Sequence, residues 1–493
     1  MKSWNEIAAL LRPHQQKSVE RLLGILRSFD SAVDASETGV GKTFVGCAAA
    51  TALQIPTLVV VPKISVTSWH RAAEVFGEKF SVIGYEKLRT GNTPYGSWEH
   101  QDQLNGPAKV TFFCEVCQRK FERWEDCDPC PYNAGGIHCF DTRKKLRRYG
   151  RFIFHPAVKF AVFDEAHRLG GLDSLNADML FAAKNQKIKH LLLSATLAQS
   201  PLGLNAIGYS LDLHAGPHDD FARQLPNFYR WAARYGVRRD PAFKGLKWFA
   251  GAERQKQVMS EIRASIAARS VRVTCDEIPG FQEQLVTADL FDLDDPEKAE
   301  KLLFEMRDAL QALDDRKAND KDSEFAITKI LRTRQNLELL KVPIFVELAQ
   351  DVVNSDRSAC IFVNFKQTVD ELSMRLKCPF IDGTVTGQKR QQAIEDFQAN
   401  KIRCLVLNSA AGGLSISLHD ITGNFPRVGF ISPSFSAIEF RQVLGRTRRE
   451  GGKSISHFKV VLAAGTLETQ IKAQLDRKLA NIEALSDEDF LVK

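Results

Sequence analysis

The stretch that most constrains this chain is Ser36-Glu37-Thr38-Gly39-Val40-Gly41-Lys42-Thr43. It follows a short apolar run (Ala32, Val33, Ala35) and leads into Phe44-Val45-Gly46-Cys47-Ala48-Ala49-Ala50, a good helix former. That is the strand, loop and helix context in which a phosphate-binding loop works. Gly39 and Gly41 let the backbone turn its N–H groups onto an anion at a helix N-terminus. Lys42 is suited to reach the outer phosphates, and Thr43 offers a hydroxyl to Mg²⁺. The competing reading is a glycine-rich turn that binds nothing.

The remaining pattern is that of a large α/β protein. Strands are expected over 57–61, 81–84, 159–163 and 189–193, with helices over 16–26 and 67–76, which indicates a parallel sheet with helices on both faces. Periodicity lapses between 91 and 156, which reads as an insertion rich in Gly, Pro, Asn, Cys and aromatic residues. Residues 215–340 read as a helical and irregular linking region. A second α/β unit follows, with strands over 359–363, 379–381, 403–407, 428–431 and 456–462 and helices over 344–353, 367–376, 388–398 and 437–444. With 493 residues, 44% of them apolar, the chain can bury more than one core. No apolar run approaches bilayer length and Met1-Lys2-Ser3-Trp4-Asn5-Glu6 lacks a signal-peptide pattern, so an intracellular, cytoplasmic protein with no membrane partner is expected. The net charge of +7 permits nucleic-acid binding without requiring it.

Asp164 and Glu165 fall at the carboxyl end of an expected buried strand, on the sheet edge that carries the phosphate loop. There Asp164 can hold Mg²⁺ through water while Glu165 polarises a water attacking a terminal phosphate. A surface acidic pair is the plainer alternative. Ser194-Ala195-Thr196, at the end of the next strand, fits a coupling element. The second unit has no phosphate loop but carries Gln442-Val443-Leu444-Gly445-Arg446-Thr447-Arg448-Arg449. Arg446 and Arg449 share one helical face, and guanidinium groups neutralise charge on a transferring phosphoryl group, so both are candidate arginine fingers; a solvated basic helix end is the alternative. Arg12 and Gln15, in Arg12-Pro13-His14-Gln15, are candidates for an adenine edge.

Cys114-Glu115-Val116-Cys117 and Cys127-Asp128-Pro129-Cys130, nine residues apart, have the spacing of two knuckles supplying four thiolates to Zn²⁺, with His138 or Cys139 as alternates. Reactive or merely buried thiols are the alternatives. Arg143, Lys144, Lys145, Arg147, Arg148 and Arg151 follow, either as a solvated basic face or as the flank of a finger that touches DNA.

Taken together these motifs resemble superfamily 2 helicases of the DEAH type: the loop ending Gly41-Lys42-Thr43, Asp164-Glu165-Ala166-His167, Ser194-Ala195-Thr196, the stretch Ser409 to Leu418, and Gln442 to Arg449. Ser36, where many such loops have glycine, suits helicase-type ATPases. Finer features are similar to Swi/Snf-type translocases, in particular their annealing-helicase branch and phage branched-DNA helicases: Leu11 to Gln15, the set Tyr235, Trp248, Gly251 and Arg269, and the run Gly465-Thr466-Leu467-Glu468-Thr469-Gln470-Ile471. Ser415 departs from the glycine usual there. The resemblance implies two tandem RecA-like domains, 1–214 (interrupted by a zinc-finger-like insertion at 91–156) and 341–493, with a helical insertion at 215–340 between them. It implies ATP, Mg²⁺ and Zn²⁺ as cofactors, and catalysis by Lys42, Asp164, Glu165, Gln442, Arg446 and Arg449 on ATP held by Arg12, Gln15 and the loop Ser36, Glu37, Thr38, Gly39, Val40, Gly41, Lys42, Thr43. Polynucleotide contacts then fall to Lys63, Ser65, Tyr85, Asn364, Phe365, Ser409, Gly412 and Gly413. The implied activity is an ATP-dependent DNA helicase or translocase that remodels forks or junctions, alone or with other replication or recombination proteins. An RNA helicase, and a DNA-structure binding module with an ATPase switch, are the alternatives.

Overall fold

The computed structural model describes residues 2–99, 151–172, 174–216, 225–240, 245–314, 320–385, 387–409, 416–433, 436–464 and 468, and the backbone of the short paired strands Phe112–Cys114 and Arg119–Phe121. Two six-stranded sheets organise it. The first runs Ser270–Val271, Ser31–Asp34, Lys189–Leu193, Phe160–Asp164, Thr57–Val61, Ser81–Gly84 from edge to edge, every pair parallel. The second runs Gln284–Phe291, Ser456–Ala463, Arg427–Ile431, Ser358–Val363, Cys404–Asn408, Phe380–Ile381, again all parallel.

Parallel strands need crossover connections, and helices on both faces force the central strands to be apolar throughout. Leu58 and Val60 therefore belong to one core cluster and Val59 and Val61 to another, on the opposite face. In the second sheet Leu405 and Leu407 lie in one cluster and Val406 in another. The alanine-rich helix Lys42–Leu53 begins directly at the phosphate loop and is buried along Val45–Thr51. Parallel order sends the residues after each strand to one edge. Asp34, Asp164 and Leu193 align in register, and so do Val363 and Asn408 in the second sheet.

Two stretches are arranged differently from the sequence reading. Residues expected as a linking region contribute an edge strand to each sheet, Ser270–Val271 to the first and Gln284–Phe291 to the second. Phe228, Trp231, Val258 and Ile262 enter the core of the first lobe. The packed helices Pro296–Asp314 and Asp320–Leu340 follow a strand of the second sheet, so they belong with that lobe rather than between the two. Inside the expected insertion, strands Gly96–Glu99 and Arg151–Phe154 pair antiparallel, and Trp98, Phe152 and Phe154 stack edge-to-face in the core. Two short strands cannot show helical or long alternating period, so only their aromatic residues marked them. Among the described residues no helix is long and apolar enough to cross a membrane.

Candidate functional site

The loop after strand Ser31–Asp34 has the geometry of an anion cradle. Gly39 (φ 98°) and Gly41 (φ 93°) take left-handed backbone conformations open to glycine. A Cβ on Gly39 would also lie 2.8 Å from the Arg448 carbonyl oxygen, so glycine is required by the approach of the second lobe as well. Lys42 Nζ donates to the carbonyls of Ser36 (2.6 Å) and Glu37 (2.7 Å), and the Ser36 N–H donates to Asp34 Oδ1 at 2.9 Å. Burial pushes the Lys42 ammonium down, against the opposing charges of Asp34, Glu165 and Asp164.

Asp164 accepts a hydrogen bond from Trp69 Nε1 at 2.8 Å through Oδ2 and one from the Glu165 N–H at 3.0 Å through Oδ1. Burial, then the neighbouring Glu165, raises its carboxyl to about 6, although the Trp69 bond and Lys42 pull the other way. Glu165 takes φ 52°, strained for a residue with a side chain, and its Oε2 accepts from Gln442 Nε2 of the second lobe at 3.2 Å. His167 Nδ1 lies 3.3 Å from Ser194 Oγ, which donates to the Thr196 carbonyl, so the two short motifs at neighbouring strand ends are hydrogen-bonded to each other.

The second lobe delivers its arginines to this place not from one helical face, as expected, but from the turn and loop that follow helix Ala437–Leu444, which is capped at Gly445. Arg446 is 1% exposed, and both Arg446 and Arg449 donate to the Ile416 carbonyl, at 3.3 and 3.2 Å. Burial, then repulsion from Arg449, pushes the Arg446 guanidinium down to about 9, opposed by Glu165 and Asp164, and it stays cationic at neutral pH. Burial lowers Arg449 too, opposed by Glu165. Three cations, Lys42, Arg446 and Arg449, are thus desolvated around Asp34, Asp164 and Glu165, an arrangement a bound polyanion relieves. The connection between the sheets runs along the loop itself. The Val273 N–H donates to Ser36 Oγ, the Cys275 N–H to Glu37 Oε2, and Arg448 Nε to the Gln282 carbonyl.

Gln15 sits on the loop, its Nε2 donating to the Val40 carbonyl at 3.2 Å while its Oε1 accepts from the Arg12 N–H. Arg12 pairs with Glu450 of the second lobe at 2.7 Å. Thr43 is the second residue of helix Lys42–Leu53. Its hydroxyl and the Asp164 carboxylate are hard oxygen donors that fit Mg²⁺, and the buried Asp34 Oδ2, without a partner among the described residues, adds a third oxygen at this edge.

The expected polynucleotide contacts lie in different surroundings. Lys63 is exposed, but Ser65 is 1% exposed, and Tyr85 is fully buried with its hydroxyl donating to the Asp164 carbonyl at 2.8 Å. The N–H groups of Asn364 and Phe365 both donate at 3.0 Å to the buried Glu338 carboxylate. Ser409 is buried at the end of strand Cys404–Asn408, and Gly412 and Gly413 lie outside the described residues. So do Cys117, Cys127, Cys130, His138 and Cys139, and of Cys114 only the backbone is described. Among the described residues no group of three or more His, Cys, Asp or Glu side chains could hold a metal. Asp34, Trp69 and Glu338 were missed by the sequence reading. The available signals were an acid within an apolar strand (Asp34) and a carboxylate within the apolar run Leu337 to Leu340 (Glu338).

Residues 9–199 match the family model described as type III restriction enzyme, res subunit, and residues 341–451 that of the helicase conserved C-terminal domain. The chain is 30% identical over 503 aligned residues to a putative ATP-dependent RNA helicase L364 of Acanthamoeba polyphaga mimivirus, covering 99% of this chain and 85% of that one. It is 22% identical to a RAD54-like DNA repair and recombination protein of Drosophila grimshawi, covering 99% of this chain and 64% of that protein, so it spans less than two thirds of that relative. A solved structure of Saccharomyces cerevisiae Dbp5 bound to RNA and ADP BeF3 aligns with a TM-score of 0.44 at 14% identity, covering 99% of this chain and 95% of that one. Two parallel-sheet lobes meeting at a phosphate loop define a class, the ATP-hydrolysing helicases and translocases. Within it, this chain belongs to the superfamily 2 helicases.

Proposed function

We propose that this protein is a DNA translocase that couples ATP hydrolysis between its lobes to remodelling of forked or branched duplexes. The observation that carries the reading is the junction of the lobes at the phosphate loop, where Gln442 of one lobe donates to Glu165 of the other and Gly39 abuts Arg448 and Arg449. In this reading Lys42 leaves the Ser36 and Glu37 carbonyls for the terminal phosphates. Glu165, oriented by Gln442, polarises the attacking water, and Arg446 and Arg449 neutralise charge on the transferring group. Thr43 and Asp164 would hold Mg²⁺, which supplies charge neutralisation on phosphate oxygens when bound. Arg12 and Gln15 take the adenine edge in this reading, supported by the bond of Gln15 to the Val40 carbonyl of the loop. Cys114, Cys117, Cys127 and Cys130, with His138 or Cys139 as alternates, are the proposed zinc ligands, on the spacing of their two Cys-x-x-Cys pairs.

DNA as the track is supported by the RAD54-like relatives, named for DNA repair and recombination, which align over nearly the whole of this chain. A second reading, an RNA helicase, is favoured by the name of the mimivirus relative at 30% identity. ATPase rates against single-stranded DNA, duplex, fork, four-way junction and single-stranded RNA decide between them. The proposal expects greatest stimulation by fork or junction, and equal or greater stimulation by RNA overturns it.

A further inference from the structure

Two elements leave adjacent strands of the first sheet at its carboxyl edge, where Val61 and Gly84 are paired neighbours: the turn Lys63–Ser65 with helix Val66–Val75, and the short helix Tyr85–Leu88. Their outer residues, Lys63 and Lys87, are exposed cations, while one aromatic residue from each goes inward and is fully buried. Both aromatic residues end on the same acid. Trp69 Nε1 donates to Asp164 Oδ2 at 2.8 Å, and the Tyr85 hydroxyl donates to the Asp164 carbonyl at 2.8 Å.

The second bond matters because the Asp164 carbonyl belongs to the peptide unit whose orientation sets the φ of Glu165, which is held at 52°. A residue with a side chain keeps such a conformation only where its surroundings enforce it. The Trp69 indole also lies against the phosphate-loop helix, since a Cβ on Gly46 would sit 2.7 Å from its Cη2. A shift of either outer element therefore moves the carboxylate of Asp164, the backbone of Glu165, or both.

We infer that Trp69 and Tyr85 are positioning residues that transmit polynucleotide engagement at the exposed turns to Asp164 and Glu165, setting how strongly polynucleotide accelerates ATP turnover. This rests on the proposed function. The test uses the full chain with Trp69→Phe and Tyr85→Phe, each removing one hydrogen-bond donor while keeping an aromatic ring. It measures ATPase with and without saturating forked DNA, fork affinity by anisotropy, and the thermal midpoint. The expected result is a fall of about tenfold in the ratio of stimulated to unstimulated turnover, with fork affinity within about twofold of wild type, as loss of one buried hydrogen bond predicts. Tyr85→Phe deletes a single oxygen and carries the test where Trp69→Phe disturbs packing. Ratios within about twofold of wild type in both variants overturn the inference, as does a parallel loss of ratio, affinity and midpoint, which marks a merely structural role. A wild-type protein that no polynucleotide stimulates overturns the proposed function itself, and the inference with it.

Discussion

His214 illustrates how individual side chains in this protein are fixed in charge state by their partners. Its Nδ1 accepts the Gly216 N–H at 3.1 Å while Nε2 donates to the Leu204 carbonyl at 3.1 Å, a pattern only the neutral ring can satisfy. Burial lowers its titration to about 4, and it does the same for His190, which is wedged between the Ile188 carbonyl and Ser210. With folded values below the ordinary 6.5, the unfolded chain binds more protons between about 6.5 and 4, so these two residues cost stability as pH falls through that window. Asp164, raised to about 6, has the opposite sign, favouring the folded state as pH falls from about 6 toward the ordinary carboxylate value. Histidine NMR titration should find the rings of His190 and His214 still neutral at about pH 5.5, and a midpoint near the ordinary value for either would refute the assignment.

At the scale of elements, helix Asp320–Leu340 acts as a clamp on the second sheet. Glu338, 2% exposed, accepts from the Asn364 and Phe365 N–H groups and from Asn364 Nδ2. Three residues on, the buried Lys341 joins Ser432, the Val461 carbonyl and Glu468. Glu338→Ala would leave the Asn364 and Phe365 N–H groups without their acceptor, while Asn364 Nδ2 keeps the Ser432 and Pro433 carbonyls. A cost of about 2 kcal/mol follows, read as roughly thirtyfold faster amide exchange at the start of helix Lys366–Leu376, with Glu338→Gln recovering part of it. Unchanged exchange in Glu338→Ala would remove the clamp. This part of the second lobe was legible only in outline. Strand and helix periods marked the elements within a few residues, but nothing in the local sequence of Asn364 announces a carboxylate partner 26 positions earlier.

At the scale of the molecule, the two lobes meet through Glu165 with Gln442, Arg12 with Glu450, and the Gly39 loop against Arg448 and Arg449. Lys42 and Arg446 stand on opposite sides of that junction, so their removal should be equivalent in one respect. Lys42→Ala and Arg446→Ala should each lower ATP turnover by about a thousandfold or more, while on the proposed function duplex DNA affinity should change by less than about threefold. Wild-type turnover by either variant in a coupled ATPase assay would break the assignment.

The sequence by itself determined the phosphate loop, the acidic pair at a strand end and the repeated parallel α/β plan, because each is written in neighbouring residues by spacing, period and chemical type. Only the tertiary structure decided that Tyr85 and Trp69 turn inward to Asp164, that Glu338 takes the donors of Asn364 and Phe365, and that Ser270–Val271 and Gln284–Phe291 complete two different sheets. Those outcomes depend on which partners burial brings together, and desolvated donors and acceptors pair across any sequence separation that the fold closes.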